Sequence, residues 1–180
     1  MGCCYCRHLN RGRWLPKESI YHINALELLA AFLALKSFKL KISGKHIKIV
    51  IDNTAAVTTI NNMGSWHSRN CHAIARQIWE FCISNNIWVT AADIPGSCNI
   101  IAARESRHFH AQDTEWKLDS GLLNRASTVL NFKPEIDLFS SRLNRQFPTY
   151  CSYRPDPGAP YVDAFSIFMV WLKILLFPTI

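Results

Sequence analysis

The sequence has no apolar run long enough to span a bilayer, no hydrophobic leader at its start, no second Cys-x-x-Cys-type pair and no internal repeat. Its most apolar stretch, residues 165–180, is broken by Lys173 and Pro178 and falls short of the roughly 18 clean residues a membrane helix needs. A buried or broken-off helix is expected there, and no membrane partner. The opening Met1-Gly2-Cys3-Cys4-Tyr5-Cys6 lacks the apolar core of a signal peptide, so an intracellular, reducing setting is expected for the seven cysteines, with cytoplasm or nucleus left open. Met1-Gly2 resembles a myristoylation start, but Cys6 stands where that signal needs Ser or Thr. Cys3, Cys4, Cys6 and His8 are candidate zinc ligands, but they lack the second paired motif of a zinc site.

Charge is also scarce. Only 18% of the 180 residues are charged, whereas 49% are hydrophobic and 12% aromatic, which excludes a disordered or low-complexity chain. The length suits one domain and a short appendage. What charge there is lies unevenly: residues 1–48 carry nine basic and two acidic side chains, residues 49–107 four of each, and residues 108–180 seven of each. The whole net charge of +7 therefore sits in the first quarter. A basic face suits nucleic acid, and a merely solvated lysine surface has the same composition.

Periodicity organises the first 107 residues. Gly2–Cys6 and Gly12–Leu15 read as short strands flanking a basic turn. Leu26, Leu29, Ala30 and Leu33 recur at helical spacing, which predicts a helix from Asn24 to about Phe38; Leu28, Phe32 and Leu35 make its other face apolar, so it should be deeply packed. His46–Asp52 is an expected strand with Ile47, Ile49 and Ile51 on one face. A short helix follows toward Asn62, and Ser68 is positioned to cap a long helix to about Ser84 whose inner stripe is Cys71, Ile74, Ala75, Ile78, Phe81 and Cys82. Ile87–Ile94 is a further strand, stopped by Pro95-Gly96, before a helix from about Asn99 to Arg107. Residues 108–163 are rich in Pro, Asp, Ser and Arg, with a helical patch near 116–130, and are expected to form an extension instead of a second core.

Two acids stand where chemistry favours them. Glu27 lies near the start of a buried helix and Asp52 ends an apolar strand. A buried carboxylate costs several kcal/mol unless a cation or hydrogen bonds compensate. Each also has a structural explanation: Glu27 as the far half of a capping box with Asn24, Asp52 as the cap of the helix at Thr54.

Five motifs in order carry a resemblance. They are His22-Ile23-Asn24-Ala25-Leu26-Glu27-Leu28-Leu29-Ala30; Ile51-Asp52-Asn53-Thr54-Ala55-Ala56-Val57; Ile60-Asn61-Asn62-Met63-Gly64; Ala91-Ala92-Asp93-Ile94-Pro95-Gly96-Ser97-Cys98-Asn99 with Ser106-Arg107; and Ile136-Asp137-Leu138-Phe139-Ser140-Ser141-Arg142-Leu143-Asn144, followed by Pro155-Asp156-Pro157 and Val162-Asp163-Ala164-Phe165. Together they resemble the ribonuclease H domain of reverse-transcribing retroelements, in particular DIRS-type elements, and the segment that follows it.

The resemblance implies an α/β fold, a ribonuclease H-like mixed sheet with flanking helices, over residues 1–107, and an irregular retroelement extension with some helix over 108–180. It implies two-metal hydrolysis of RNA in RNA–DNA hybrids, with a pair of Mg²⁺ ions held by four carboxylates, and a reverse transcriptase domain of the same polyprotein as partner. Glu27 matches the second acid and Asp52 the third; both would serve as catalytic and metal-binding residues. The first acid belongs on a central strand that would precede Met1. The fourth position is Ala103, and Glu105 is about 200° further round a helix; Asp93 replaces a family-typical His. The chain as written is thus expected to be catalytically degenerate, and loss of the central strand is expected to expose Ile47, Ile49 and Ile51 unless its two neighbours re-pair directly. A non-catalytic nucleic-acid-binding module and a non-functional element fragment are the alternatives. Contacts to an RNA–DNA hybrid or duplex are expected from Arg11, Arg13, Lys45, Lys48, Trp66, Ser68 and Arg69, the last three at a helix N-terminus that favours phosphate.

Overall fold

The computed structural model describes residues 2–5, 8–107, 116–167 and 174–175, with the side chains of 2–5, 8–11, 105–107 and 174–175 left aside. It is a mixed α/β protein of helices and short, two-stranded sheets, divided into two compact units, Met1–Phe109 and His110–Ile180.

In the first unit, β1 (Gly2–Tyr5) and β2 (His8–Arg11) form an antiparallel hairpin whose register pairs Tyr5 with His8 and Gly2 with Arg11. The second strand therefore occupies the expected basic turn, and Gly12–Leu15 is not a strand: the register that pairs Tyr5 with His8 uses His8–Arg11 as the returning strand. Helix α1 (Ile23–Ser37) follows, then a single turn α2 (Lys39–Ile42), strand β3 (His46–Ile51), α3 (Thr54–Asn61), the long α4 (Arg69–Ser84), β4 (Trp88–Asp93) and α5 (Ile100–Arg107).

The apolar spacing does what it should. Leu28, Phe32 and Leu35 of α1, Ile60 of α3, and Cys71, Ile74, Ile78, Trp79 and Cys82 of α4 close on Ile51, Val89 and Ala91 of the β3–β4 pair. Trp79 joins the stripe that periodicity outlined because its ring is buried while its indole N–H donates to the Ile60 carbonyl at 3.0 Å. Phe32 and Phe81 meet edge to face, 6.0 Å apart. Burial also holds the Cys82 thiol up at about 11, so it serves as a small apolar filler.

β3 and β4 pair in parallel, Ile47 with Val89, Ile49 with Ala91 and Ile51 with Asp93. The two edges of this ribbon differ. Trp88 N donates to Lys45 O and Ile94 N to Ile51 O, so the odd-numbered residues of β3 and the even-numbered residues of β4 face each other. The outward-facing Ala91 is satisfied by one side chain: Asn61 Nδ2 donates to Ala91 O at 2.9 Å and its Oδ1 accepts from Ala91 N at 2.8 Å. β3 has no strand on its other edge among the described residues. The expected exposure of Ile47, Ile49 and Ile51 is not observed: Ile51 is 6% exposed and the other two are half-buried against the helices. It is backbone, not these side chains, that the open edge uncovers.

The second unit was expected to lack a core, and it has a small one. Ile136, Leu138, Cys151 and Ala164 are buried together, with Phe139 and Ile167 against them. Its regular elements are α6 (Ser120–Val129), capped by Asp119, and the two-residue strands β5 (Ile136–Asp137), β6 (Cys151–Ser152), β7 (Tyr161–Val162) and β8 (Ile174–Leu175), with a 3₁₀ turn at Ala164–Ser166. Carboxylates hold the loops. Asp156 accepts from the buried Tyr150 hydroxyl, from Arg142 N at 3.0 Å and from Gly158 N at 3.0 Å. Gly158 has to be glycine here, since a Cβ would lie 2.7 Å from the Tyr150 oxygen. Asp137, itself buried, accepts from Gln146 N at 3.1 Å, and Asn144 Oδ1 from Ser141 N at 2.7 Å. These bonds account for the Ile-Asp-Leu-Phe and Pro-Asp-Pro pieces as loop organisers.

Candidate functional site

The carboxyl ends of parallel strands are where α/β proteins gather chemistry, because loops and helix starts converge there. Asp52 directly follows β3, and the Pro95-Gly96 turn follows β4 by two residues. The turn borders the carboxylate: a Cβ added to Gly96 would lie 3.7 Å from Asp52 Oδ2. Glu27, in the second turn of α1, is close enough for the charge of Asp52 to act on it.

Neither carboxylate does the structural task that its position suggested. Helix α1 begins one residue earlier than its apolar period, at Ile23, and is capped by His22, whose Nδ1 accepts from Asn24 N at 3.3 Å. Asn24 therefore closes no box with Glu27. Helix α3 is capped by Asn53 through Ala56 N at 2.9 Å, not by Asp52. Asn53 then reaches across with its Nδ2 to Asn24 Oδ1 at 3.0 Å. One short polar link thus ties the start of α1, which carries Glu27, to the start of α3, which Asp52 precedes. Sequence reasoning missed this pair because spacing makes Asn24 a capping-box residue and Asp52 the cap of α3; the signal was that Asp52 and Asn53, two adjacent cap-type residues, compete for one helix end.

The electrostatics follow from the placement. Glu27 is half-buried, and its carboxyl is held above the ordinary value of 4.5, first by burial and then by the negative charge of Asp52. Asp52 is exposed. A carboxyl whose ionised form is opposed by burial and by a neighbouring negative charge favours a cation beside it.

The donor set bears on magnesium directly. Among the described residues no group of three His, Cys, Asp or Glu side chains is placed to hold a metal ion. Mg²⁺ takes one or two carboxylates and keeps several waters, so Glu27 and Asp52 suit at most one loosely held ion. They do not fit a bridged pair, and no hydrolytic step follows from them. Ala103 lies in α5, where its N–H donates to the Asn99 carbonyl at 3.1 Å, and brings no ligand. Asp93 sits opposite Ile51 in the β3–β4 register and is exposed. The side chain of Glu105 and those of Cys3, Cys4, Cys6 and His8 lie outside the described residues.

The expected nucleic-acid contacts separate into two groups. Trp66 is fully exposed, 101% of its reference area, so its ring does not anchor the loop by packing. Ser68 beside it is already engaged, its Oγ accepting from Cys71 N at 3.2 Å as the cap of α4, and Arg69 is exposed at the first turn. Ser68 thus serves as the cap of α4. Lys45 and Lys48 are exposed at and before β3, Lys45 folding back to donate to Lys41 O at 2.7 Å. Arg13 is exposed, and the side chain of Arg11 lies outside the described residues.

Neither models of protein families, nor curated proteins, nor solved structures match this chain. Among the described residues no helix is long and apolar enough to cross a membrane.

Proposed function

We propose that residues 1–107 are a ribonuclease H-like domain of retroelement origin that grips RNA–DNA hybrid or duplex without cutting it efficiently. The observation that carries this reading is the approach of Glu27 and Asp52 at the carboxyl end of the β3–β4 pair, with no capping role to explain either. Two acids from a helix and a strand end are the remnant expected of a two-metal phosphodiesterase that has lost its other ligands. The separation of the β1–β2 hairpin from the β3–β4 ribbon supports it as well, since a central strand between them is the element the resemblance lacks. The fully exposed Trp66, followed by the exposed Arg69, supplies a stacking face beside a cation, the chemistry that single bases and backbones favour.

The test is a labelled RNA–DNA hybrid incubated with the full chain and Mg²⁺ or Mn²⁺, with Asp52→Asn as control. Binding that weakens steeply with salt, without cleavage, is the expected result. Metal-dependent RNA cleavage that Asp52→Asn abolishes would show that other groups complete the site. Absence of binding by folded protein at low salt would leave the fragment reading.

A further inference from the structure

The two edges of the β3–β4 ribbon are treated differently, and the difference points outward. Asn61 closes the β4 edge at Ala91 with both of its amide atoms. On β3 the ladder parity leaves the N–H and C=O groups of His46, Lys48 and Val50 directed away from β4, toward an edge that no strand covers among the described residues. The side chains along it are accessible: Val50 is 48% exposed, and Lys48 and Asp52 are exposed. Unpaired backbone on a β-branched strand is a template for another strand.

We infer that this edge docks a second copy of the chain, β3 against β3 in antiparallel register, with Val50 opposite Val50 and Lys48 opposite Asp52 of the other copy. The choice of partner rests on charge. A two-fold axis normal to the sheet pairs only residues on the same face, so the two numbers of each pair sum to an even total. Centred on Lys48, the strands would set two ammonium groups against each other, which is destabilising. Centred on Val50, each Lys48 meets an Asp52, twice by symmetry, while Ile49 meets Ile51 on the core-facing side. In that register the Val50 and Lys48–Asp52 positions are the hydrogen-bonded pairs, which is what the outward-directed groups of Lys48 and Val50 require. Lysine on an edge ordinarily discourages pairing; here Asp52, four residues on, answers it in a second copy. The inference stands apart from any nuclease ancestry, because it uses only the ladder parity and the charges of one strand.

The test is sedimentation of the full chain over a concentration series, with folding checked by circular dichroism. The wild type is expected to form a dimer. Lys48→Asp and Asp52→Lys are each expected to sediment as monomers, since each sets like charges opposite one another. Mixed one to one, they are expected to form a heterodimer, because the first then offers two acids and the second two lysines. Val50→Cys is expected to give a disulfide-linked dimer on mild oxidation that the wild type does not, as hydrogen-bonded antiparallel pairs lie about 5.5 Å apart at Cα, within disulfide reach. A register centred on Ile49 would hold those positions beyond about 7 Å and form no such bond. A monomeric wild type, open-ended assemblies, or charge-reversed variants that dimerise as the wild type does would each overturn the inference.

Discussion

The two units are built on different forces. Met1–Phe109 packs helices α1, α3 and α4 on β3 and β4 through a continuous apolar cluster. Among its described residues the second unit buries four apolar side chains together and relies on Asp137, Asn144, Asp156 and Asp163 to tie its loops. Apolar packing is distributed over many contacts, each small. A carboxylate that collects three donors concentrates the same task in one residue. The first kind of unit should therefore lose stability by degrees under substitution, and the second should depend on a few positions.

The largest effect is expected from Ile78→Ala. Ile78 is fully buried on α4, and its truncation should cost about 2–5 kcal/mol, read as a lowered midpoint in chemical denaturation and as faster amide exchange across the first unit. Asp156→Ala comes next. It leaves the buried Tyr150 hydroxyl without its acceptor, at roughly 1–3 kcal/mol, and frees Arg142 N and Gly158 N as well. Exchange should rise over 136–167 and stay unchanged in α1 and α4; a uniform rise would erase the contrast between the units. Asn61→Ala uncovers both backbone groups of Ala91, a loss of about 1–3 kcal/mol that Asn61→Asp should not recover, because the aspartate cannot donate to the carbonyl.

The smallest effect concerns pH. Glu27 holds its proton more tightly in the fold than in the unfolded chain, so its ionised form opposes folding. That penalty is present at neutral pH and fades as pH falls through the raised folded value toward the ordinary 4.5. Glu27→Gln should accordingly melt higher than wild type at pH 7, and the difference should vanish below about pH 4. Thermal melts of both proteins at stepped pH would show it; a variant less stable than wild type at pH 7 would mean that the carboxylate is favourably paired.

Much of the first unit was legible in the residues. The α1 and α4 stripes, the alternation of Ile47, Ile49 and Ile51, and the Ser68 cap are local patterns, and local geometry suffices to read them. The pairing of Glu27 with Asp52 was legible only through the resemblance, since twenty-five positions separate them. Asn24–Asn53 and Asn61–Ala91 were not legible at all. A cap-type side chain can bond its own helix or another element, and the choice depends on what folding brings near. The small core around Ile136, Leu138 and Cys151 was not legible for a related reason: polar residues in loops look like solvated linker until their partners are placed.

The sequence by itself determined the helices and strands from α1 to α5, which of their faces are apolar, and that basic charge collects near the start, because these depend on neighbours a few positions apart. The tertiary structure decided that Glu27 and Asp52 share a site free of capping duties, that Trp66 stands in solvent, that a four-residue core is organised by Asp137 and Asp156, and that one edge of the β3–β4 ribbon is closed while the other is open. Those outcomes depend on which distant groups meet, and hydrogen-bond partners and desolvation exist only once the chain has closed on itself.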